Sequence, residues 1–454
     1  MRRATFIILS QLHWLSLGFF LRSALGSPEI SAPDLSLSSI LKNTLTHNGQ
    51  IQEAMGEVDV ARAQLDRARA ALYPKASAII IAAPIFEERG NALSSRVDTS
   101  KWGPFISTGV EIAQPLYTFG QLSGYRKAAE NQITARQGQV DIKKAEIILT
   151  AKEMYYGYLM ATELDALVED LSKFLDEAVV TSEKNMKKKK SNVKPHDVYR
   201  LKTTLDDLKQ KKLYAEQAKK TAKRAVAWIS SLEFEALPNR KLRPEKFEKK
   251  TMEEYLAIAK IARPEIDALK AGQQARLSLS EAKQAQSYPV IFLGALGGFS
   301  WSPVRDRQVS IYANDPFNRL QGGIGVGLKF DLEFARHAAE ASEERAEALK
   351  LKAMESYALP GIDLQVKKSV WELEQAIDSL EVAERRRLTS KKWFVGSAMG
   401  WSIGITPAKD LMEALEGDGL AKKNYIETVY MLNMALARLS QAIGKEATEL
   451  SYDL

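Results

Sequence analysis

Gly323-Ile324-Gly325-Val326-Gly327-Leu328-Lys329-Phe330-Asp331 alternates strictly between apolar residues and small or polar ones. Side chains of a strand point to opposite faces in turn, so this stretch has one greasy side and one wet side. A strand between lipid and an aqueous lumen is written this way. Upstream, Val110, Ile112 and Leu116 alternate with Gly109, Glu111 and Ala113 in the same sense, with Gln114 out of step. The run Ala76 to Ala83 alternates only weakly. The expected strands are about 76–86 and 105–116 in one pair, and about 289–301 and 320–333 in the other.

Four strands cannot close a membrane barrel, since the smallest single-chain barrels have about eight. An open strand edge in lipid leaves backbone groups unpaired, at several kcal/mol each. Several copies must therefore share one barrel. Two copies would give about eight strands and an interior filled by side chains, whereas three give about twelve and room for a water-filled lumen. No stretch after the N-terminal segment reaches the roughly 18 consecutive apolar residues of a membrane helix, so a span has to be made of strands.

Outward from the strands the period changes. Ile133, Val140, Ile147, Met154, Ala161, Val168 and Leu175 recur every seven residues, with Leu164, Leu171 and Ala178 as a second seam. A sustained heptad specifies a coiled coil. From Gln121 to about Lys189 one helix would run roughly 100 Å at about 1.5 Å per residue. After a break, Val198, Leu201, Leu205, Leu208, Ala215, Ala222, Val226 and Ile229 continue in steps of three and four, an amphipathic returning helix. Tyr425, Val429, Leu432, Leu436, Leu439 and Ile443 repeat that stripe later in the chain.

The chain is internally duplicated. Tyr73-Pro74 returns as Tyr288-Pro289, Gly109-Val110 as Gly325-Val326, and Asp197 as Asp410, at offsets of 215, 216 and 213. Each half reads as helix, two strands, very long helix, short break, helix. The expected division is a signal peptide over 1–26, a first repeat over 27–230 with its break at about 188–196, a linker or small equatorial element over 231–250, and a second repeat over 251–454 with its break at about 400–407. Arg2 and Arg3, the apolar run Ala4 to Leu21 and the small residues before Ser27 carry the signal-peptide reading. Pro360-Gly361 inside the second long helix predicts a bend there.

Composition excludes other classes. There is no cysteine, which removes disulfides, thiolate metal sites and a lipidated cysteine. Of four histidines, His13 leaves with the signal, and His47, His196 and His337 share no ligand spacing. With no phosphate-binding loop either, the expectation is no enzyme, no metal and no cofactor. Losing Arg2, Arg3 and Arg22 takes the net charge from +7 to about +4. The remaining Lys and Arg interleave with Glu and Asp, so no nucleic acid is expected. The rival from another class is a soluble periplasmic coiled-coil scaffold or adaptor without a pore. It accounts for the heptads but not for two strand pairs with glycine and polar groups on one face.

The order of these elements resembles the TolC family of outer-membrane efflux and secretion channels. The local matches are Ala70-Ala71-Leu72-Tyr73-Pro74, Gln114-Pro115-Leu116-Tyr117-Thr118-Phe119-Gly120, Arg263-Pro264-Glu265, Gly404-Ile405-Thr406, Asp410-Leu411, Tyr425 and Ala442-Ile443-Gly444. The resemblance implies an α+β membrane protein and a homotrimer, with a 12-stranded β-barrel joined to a 12-helix periplasmic α-barrel. It implies an outer membrane location in a Gram-negative bacterium. The duct would be the passive exit of a tripartite efflux or type I secretion system, with a periplasmic adaptor (membrane fusion protein) and an inner-membrane transporter of RND, ABC or MFS type. It places an aperture ring at Asp410 and Glu413 and closing contacts at Trp401, Asp197, His196 and Thr406, Trp401 donating to Asp197. Adaptor-facing turns would be Lys190, Ser191 and Asn192 on one tip and Gly404 and Ile405 on the other. The run Lys187 to Lys190 departs from the apolar turn usual there, and Thr406 stands where a basic residue is common.

Overall fold

The computed structural model describes residues 36–91, 93–187, 194–232, 240–403 and 405–446. The expected signal segment and the tip positions Lys190, Ser191, Asn192 and Gly404 lie outside them. In chain order the elements are α1 (Leu37–His47), α2 (Gly49–Ala70), β1 (Lys75–Asn91), β2 (Ser94–Tyr117), α3 (Gln121–Met186), α4 (Pro195–Ser230), α5 (Met252–Ala262), α6 (Pro264–Ala285), β3 (Val290–Trp301), β4 (Arg319–Lys329), α7 (Phe334–Ser402) and α8 (Ala408–Ile443). Helix lengths match in pairs: 11 and 11, 22 and 22, 66 and 69, 36 and 36 residues.

Where the sequence suggested one opening helix per half, there are two. The first break falls at Asn48, whose side chain accepts from Gln50 N at 3.0 Å and so caps α2. The second falls at Arg263, 215 residues on, because Pro264 has no N–H to continue α5 and suits the first position of α6. Arg263 is buried and donates to the Gln441 and Ala442 carbonyls at 2.9 and 3.2 Å, which docks the end of α8 on this break. Gly444 follows with φ +70, and a Cβ there would lie 2.6 Å from the Ala262 carbonyl oxygen.

The heptad seam is buried at some of its positions and half-buried at Ile133, Met154 and Val168. Val140, Ile147, Ala161 and Leu175 are buried along α3. Small residues let α3 and α6 approach closely: a Cβ on Gly124 would sit 2.8 Å from Ala282 Cβ, and one on Gly138 2.7 Å from Ala268 Cβ. Gly138→Val should therefore cost about 1–3 kcal/mol through overpacking. Gly157, whose Cβ would meet nothing within 4 Å, should instead gain about 0.5–1 kcal/mol as Ala, from helix propensity. Thermal unfolding of the two variants should shift in opposite directions.

The second long helix continues unbroken across Pro360. The proline is exposed, and Ile362, Val366, Val370 and Leu373 immediately beyond it are buried against α5 and α8. Packing on the inner side thus holds the helix together where one backbone donor is missing. Within the expected linker or equatorial element, the described part packs on α8. Leu242 is buried, and the Asn433 side chain of α8 binds both Arg243 O and Glu245 N, at 2.9 and 3.0 Å.

The strands form one antiparallel sheet in the order β1-β2-β3-β4. Register puts Ile106, Val110, Ile112, Leu293, Phe299, Ile324 and Val326 on one face, and Ser107, Gly109, Glu111, Gly298, Ser300, Gly323 and Gly325 on the other. The second face is less uniformly polar than its sequence suggested, since Leu296 and Phe292 lie on it. Gly327 makes room for the Phe292 ring, 2.6 Å from where a Cβ would stand. The first strand pair runs past its expected limits because pairing resumes beyond a bulge at Phe86/Glu87. Gln114, out of step in sequence, donates to Leu72 O and Pro115 O at 2.7 and 2.9 Å, satisfying carbonyls where helix turns into strand. No helix among the described residues is long and apolar enough to cross a membrane.

Candidate functional site

Both long helices leave the sheet and reverse at their far ends, so the reversals α3–α4 and α7–α8 form one tip region. They are joined just above the turns by a buried cluster of Leu175, Val179, Leu201, Leu205 and Leu415, with Phe174 and Phe394 edge to face at 5.0 Å. Lys202 pairs with Glu183 at 2.7 Å across the first hairpin.

The second tip is a tight turn closed on Gly400. Its carbonyl accepts from Ile405 N at 2.8 Å and Thr406 N at 3.1 Å. The Thr406 hydroxyl occupies the space that a Cβ on residue 400 would need. Thr406 thus packs into the turn, at the position where the resemblance expects a basic residue. Gly400→Ala should loosen this tip, and limited proteolysis should then cut near residue 403 at least several times faster.

At the first tip, Asp197 turns back on its own helix. As the third residue of α4 its carboxylate accepts from Lys194 N at 3.3 Å and lies 3.5 Å from His196 Nε2. The expected bond from the Trp401 indole to Asp197 is therefore not formed within the chain. Trp401 is half-buried and His196 is exposed. Asp410 and Glu413 do fall together: Leu411, Ala414 and Leu415 are buried on α8, and the two carboxylates stand on the opposite, exposed face. Glu413 lies 3.7 Å from Lys409. Ile405 is exposed at the turn.

One feature of the tip was passed over in the sequence. Asp418 is fully buried between α7 and α8. Lys422 approaches its Oδ2 to 2.7 Å off hydrogen-bonding angle, and the buried Ser390 hydroxyl is 3.4 Å from Oδ1. Arg387, stacked 4.7 Å over Tyr425, stands nearby and is held charged by its bonds to Glu384. The signal was present, since Asp418 falls on the Leu411-Ala414-Leu415-Ala421 stripe where every other position is apolar or small.

No protein-family model matches the sequence, and no curated protein matches it significantly. Solved structures do match. The Neisseria gonorrhoeae MtrE outer membrane channel in its open state superposes with a TM-score of 0.72 at 16% identity, over 92% of this chain and 90% of that one. The Campylobacter jejuni CmeC outer membrane channel gives 0.72 at 14%, over 92% and 87%. The Vibrio cholerae outer membrane protein VceC gives 0.71 at 15%, over 90% and 96%.

The fold is that of the TolC-like outer-membrane channels.

In this TolC-like fold an aromatic cluster sits at the junction of strands and helices. Phe119 meets Tyr117 edge-on at 4.6 Å and stacks on Tyr288 at 5.6 Å, where the apolar sheet face ends. Aromatic girdles mark that level in membrane barrels. Among the described residues no group of His, Cys, Asp and Glu is placed to hold a metal ion.

Proposed function

We propose that this chain is the passive exit duct of a tripartite efflux or type I secretion system in a Gram-negative outer membrane. Three copies would close a 12-stranded barrel and continue as a periplasmic α-barrel. The observation that carries the reading is the open sheet. Apart from a single Glu88–Arg305 bridge, the order β1-β2-β3-β4 leaves one edge of β1 and one of β4 without a neighbour among the described residues. The apolar face exposes Ile80, Leu320, Ile324, Val326 and Leu328. A lone sheet of this kind is stable neither in water nor in lipid, and joining β4 of one copy to β1 of the next satisfies both demands.

The helices of 66 and 69 residues, about 100 Å each at 1.5 Å per residue, would reach across the periplasm. At their tips Asp410 and Glu413 of three copies would ring the aperture. A periplasmic adaptor would engage the turns, and an inner-membrane transporter of RND, ABC or MFS type would supply the energy. Trp401 and Asp197 would serve as closing contacts at the tips, between neighbouring copies, since no bond joins them within one chain.

The test is extraction and mass. The protein should resist carbonate washing of the outer-membrane fraction, run as a trimer in native mass measurement and conduct ions in planar bilayers. A carbonate-soluble protein, or a monomer that keeps its sheet, would overturn the proposal.

A further inference from the structure

The segment joining β3 to β4, residues 302–318, is built rather than slack. Ser302 N donates to Asn318 Oδ1 at 2.9 Å and closes its base, and the Ser302 hydroxyl donates to Pro104 O at 3.0 Å. From there the chain crosses β2 to reach the β1–β2 hairpin. Val304 fills the space over Gly103 that a Cβ would take, and its carbonyl accepts from Glu88 N at 3.1 Å. Arg305 is the anchor: its side chain is one-tenth exposed, ion-paired with Glu88, and lies 4.3 Å from the Phe317 ring and 5.1 Å from that of Phe86. Asp306 accepts from Arg89 at 2.9 Å and from Gly90 N at 2.8 Å. On the return, Asp315 accepts from the backbone of Gln308, Phe317 and Asn318, each at 2.9 Å.

The face on which this strap lies follows from register. Gly103 and Phe105 share parity along β2 with Ser107, Gly109 and Glu111, the face where the Ser107 and Ser300 hydroxyls meet at 3.1 Å. Val304 covers Gly103, and Phe317 meets Phe105 edge-on at 5.5 Å. At Gly103 and Phe105 the strap is therefore folded over the small and polar face, at the end of the sheet remote from the helices, while Arg305 also reaches Phe86 at the rim, which pairs with Trp102.

Between the Gln308 and Asp315 anchors the segment carries an apolar tip. Val309 is 86%, Ile311 89% and Tyr312 93% exposed. In a closed barrel of three chains the small and polar face looks inward, so a strap lying on it aims its tip toward the symmetry axis. The surface that the same geometry brings there is the same tip from the other two copies. Apolar surface in a watery mouth associates with its like.

We infer that residues 309–312 of three copies meet at the barrel axis as an apolar gate at the outer mouth, held in place by Arg305. This rests on the trimeric reading above.

The chain contains no cysteine, so Ile311→Cys or Tyr312→Cys introduces one thiol per copy. Native mass measurement of the unoxidised variant comes first. Trimers treated with copper phenanthroline should then yield a covalent dimer plus one uncoupled chain on denaturing gels, with more than half of the protein cross-linked. Adding Arg305→Gln to the same background should reduce the yield at least fivefold while the trimer persists. A trimer in which neither cysteine cross-links overturns the gate and leaves the duct standing. Cross-linking that Arg305→Gln leaves unchanged overturns the anchor. A monomer overturns the trimeric reading itself, and the gate with it.

Discussion

Replacing Asp410 and Glu413 together with alanine should abolish block of the channel by multivalent cations added from the periplasmic side. The two carboxylates share the exposed face of α8, so three copies would stack them as two rings about the axis. Closely spaced like charges repel unless counter-ions gather between them, which favours divalent and trivalent cations. The rings are not equal. Lys409 stands 3.7 Å from Glu413 and offsets part of the lower charge, although an exposed pair of this kind is weak. Asp410→Asn should therefore weaken block more than Glu413→Gln, and Lys409→Ala should strengthen it. Planar-bilayer recordings with a trivalent cation measure all four. Block unchanged in the double variant would show that the narrowest point lies elsewhere.

The second large effect is expected at Lys152, where the cost is paid in folding rather than conduction. Its side chain is 2% exposed inside α3 and reaches Glu446 at 2.6 Å, just past α8. Ser440 donates to the other Glu446 oxygen at 2.9 Å. Removing one partner of a buried pair takes away the main counter-charge of the other, at about 3–5 kcal/mol. Lys152→Ala should show that loss, with a cavity added. Lys152→Met combined with Glu446→Gln, which removes both charges and keeps the volume, should recover most of it. Chemical denaturation of the detergent-solubilised protein compares them. Equal losses in both variants would mean that packing, not charge, decides this site.

Most of the architecture could be read before any coordinates, because it rests on periodicities. The seven-residue spacing from Ile133 to Leu175 and the alternation from Gly323 to Asp331 each specify an element without outside help. Features that depend on a distant partner were not readable. Asn48 breaks the first opening helix through a local cap, and the break at Arg263 takes its full weight only when α8 docks there. Asp197 reads by resemblance as a partner for Trp401, and its place in the first turn of α4 adds a contact with the Lys194 N–H at 3.3 Å that this reading does not anticipate. Asp418 could have been noticed as an acid in an apolar register with Lys422 four residues on, although Ser390 beside it, 28 residues away, could not. The strap at 302–318 has no period at all, and the contacts that tie it to β1 and β2 join residues 198 to 218 apart in sequence.

The clamp of Arg263 on the final carbonyls of α8 also has a mechanical meaning. One end of a 36-residue rod is pinned beside Gly444, and the other carries the turn and its carboxylates. A rod of that length measures about 54 Å, so a swing of only about 10° about the pin displaces its free end by roughly 9 Å. The leverage is large enough that small slips between packed helices near the pivot suffice to widen an aperture, and the hinge itself need not unfold.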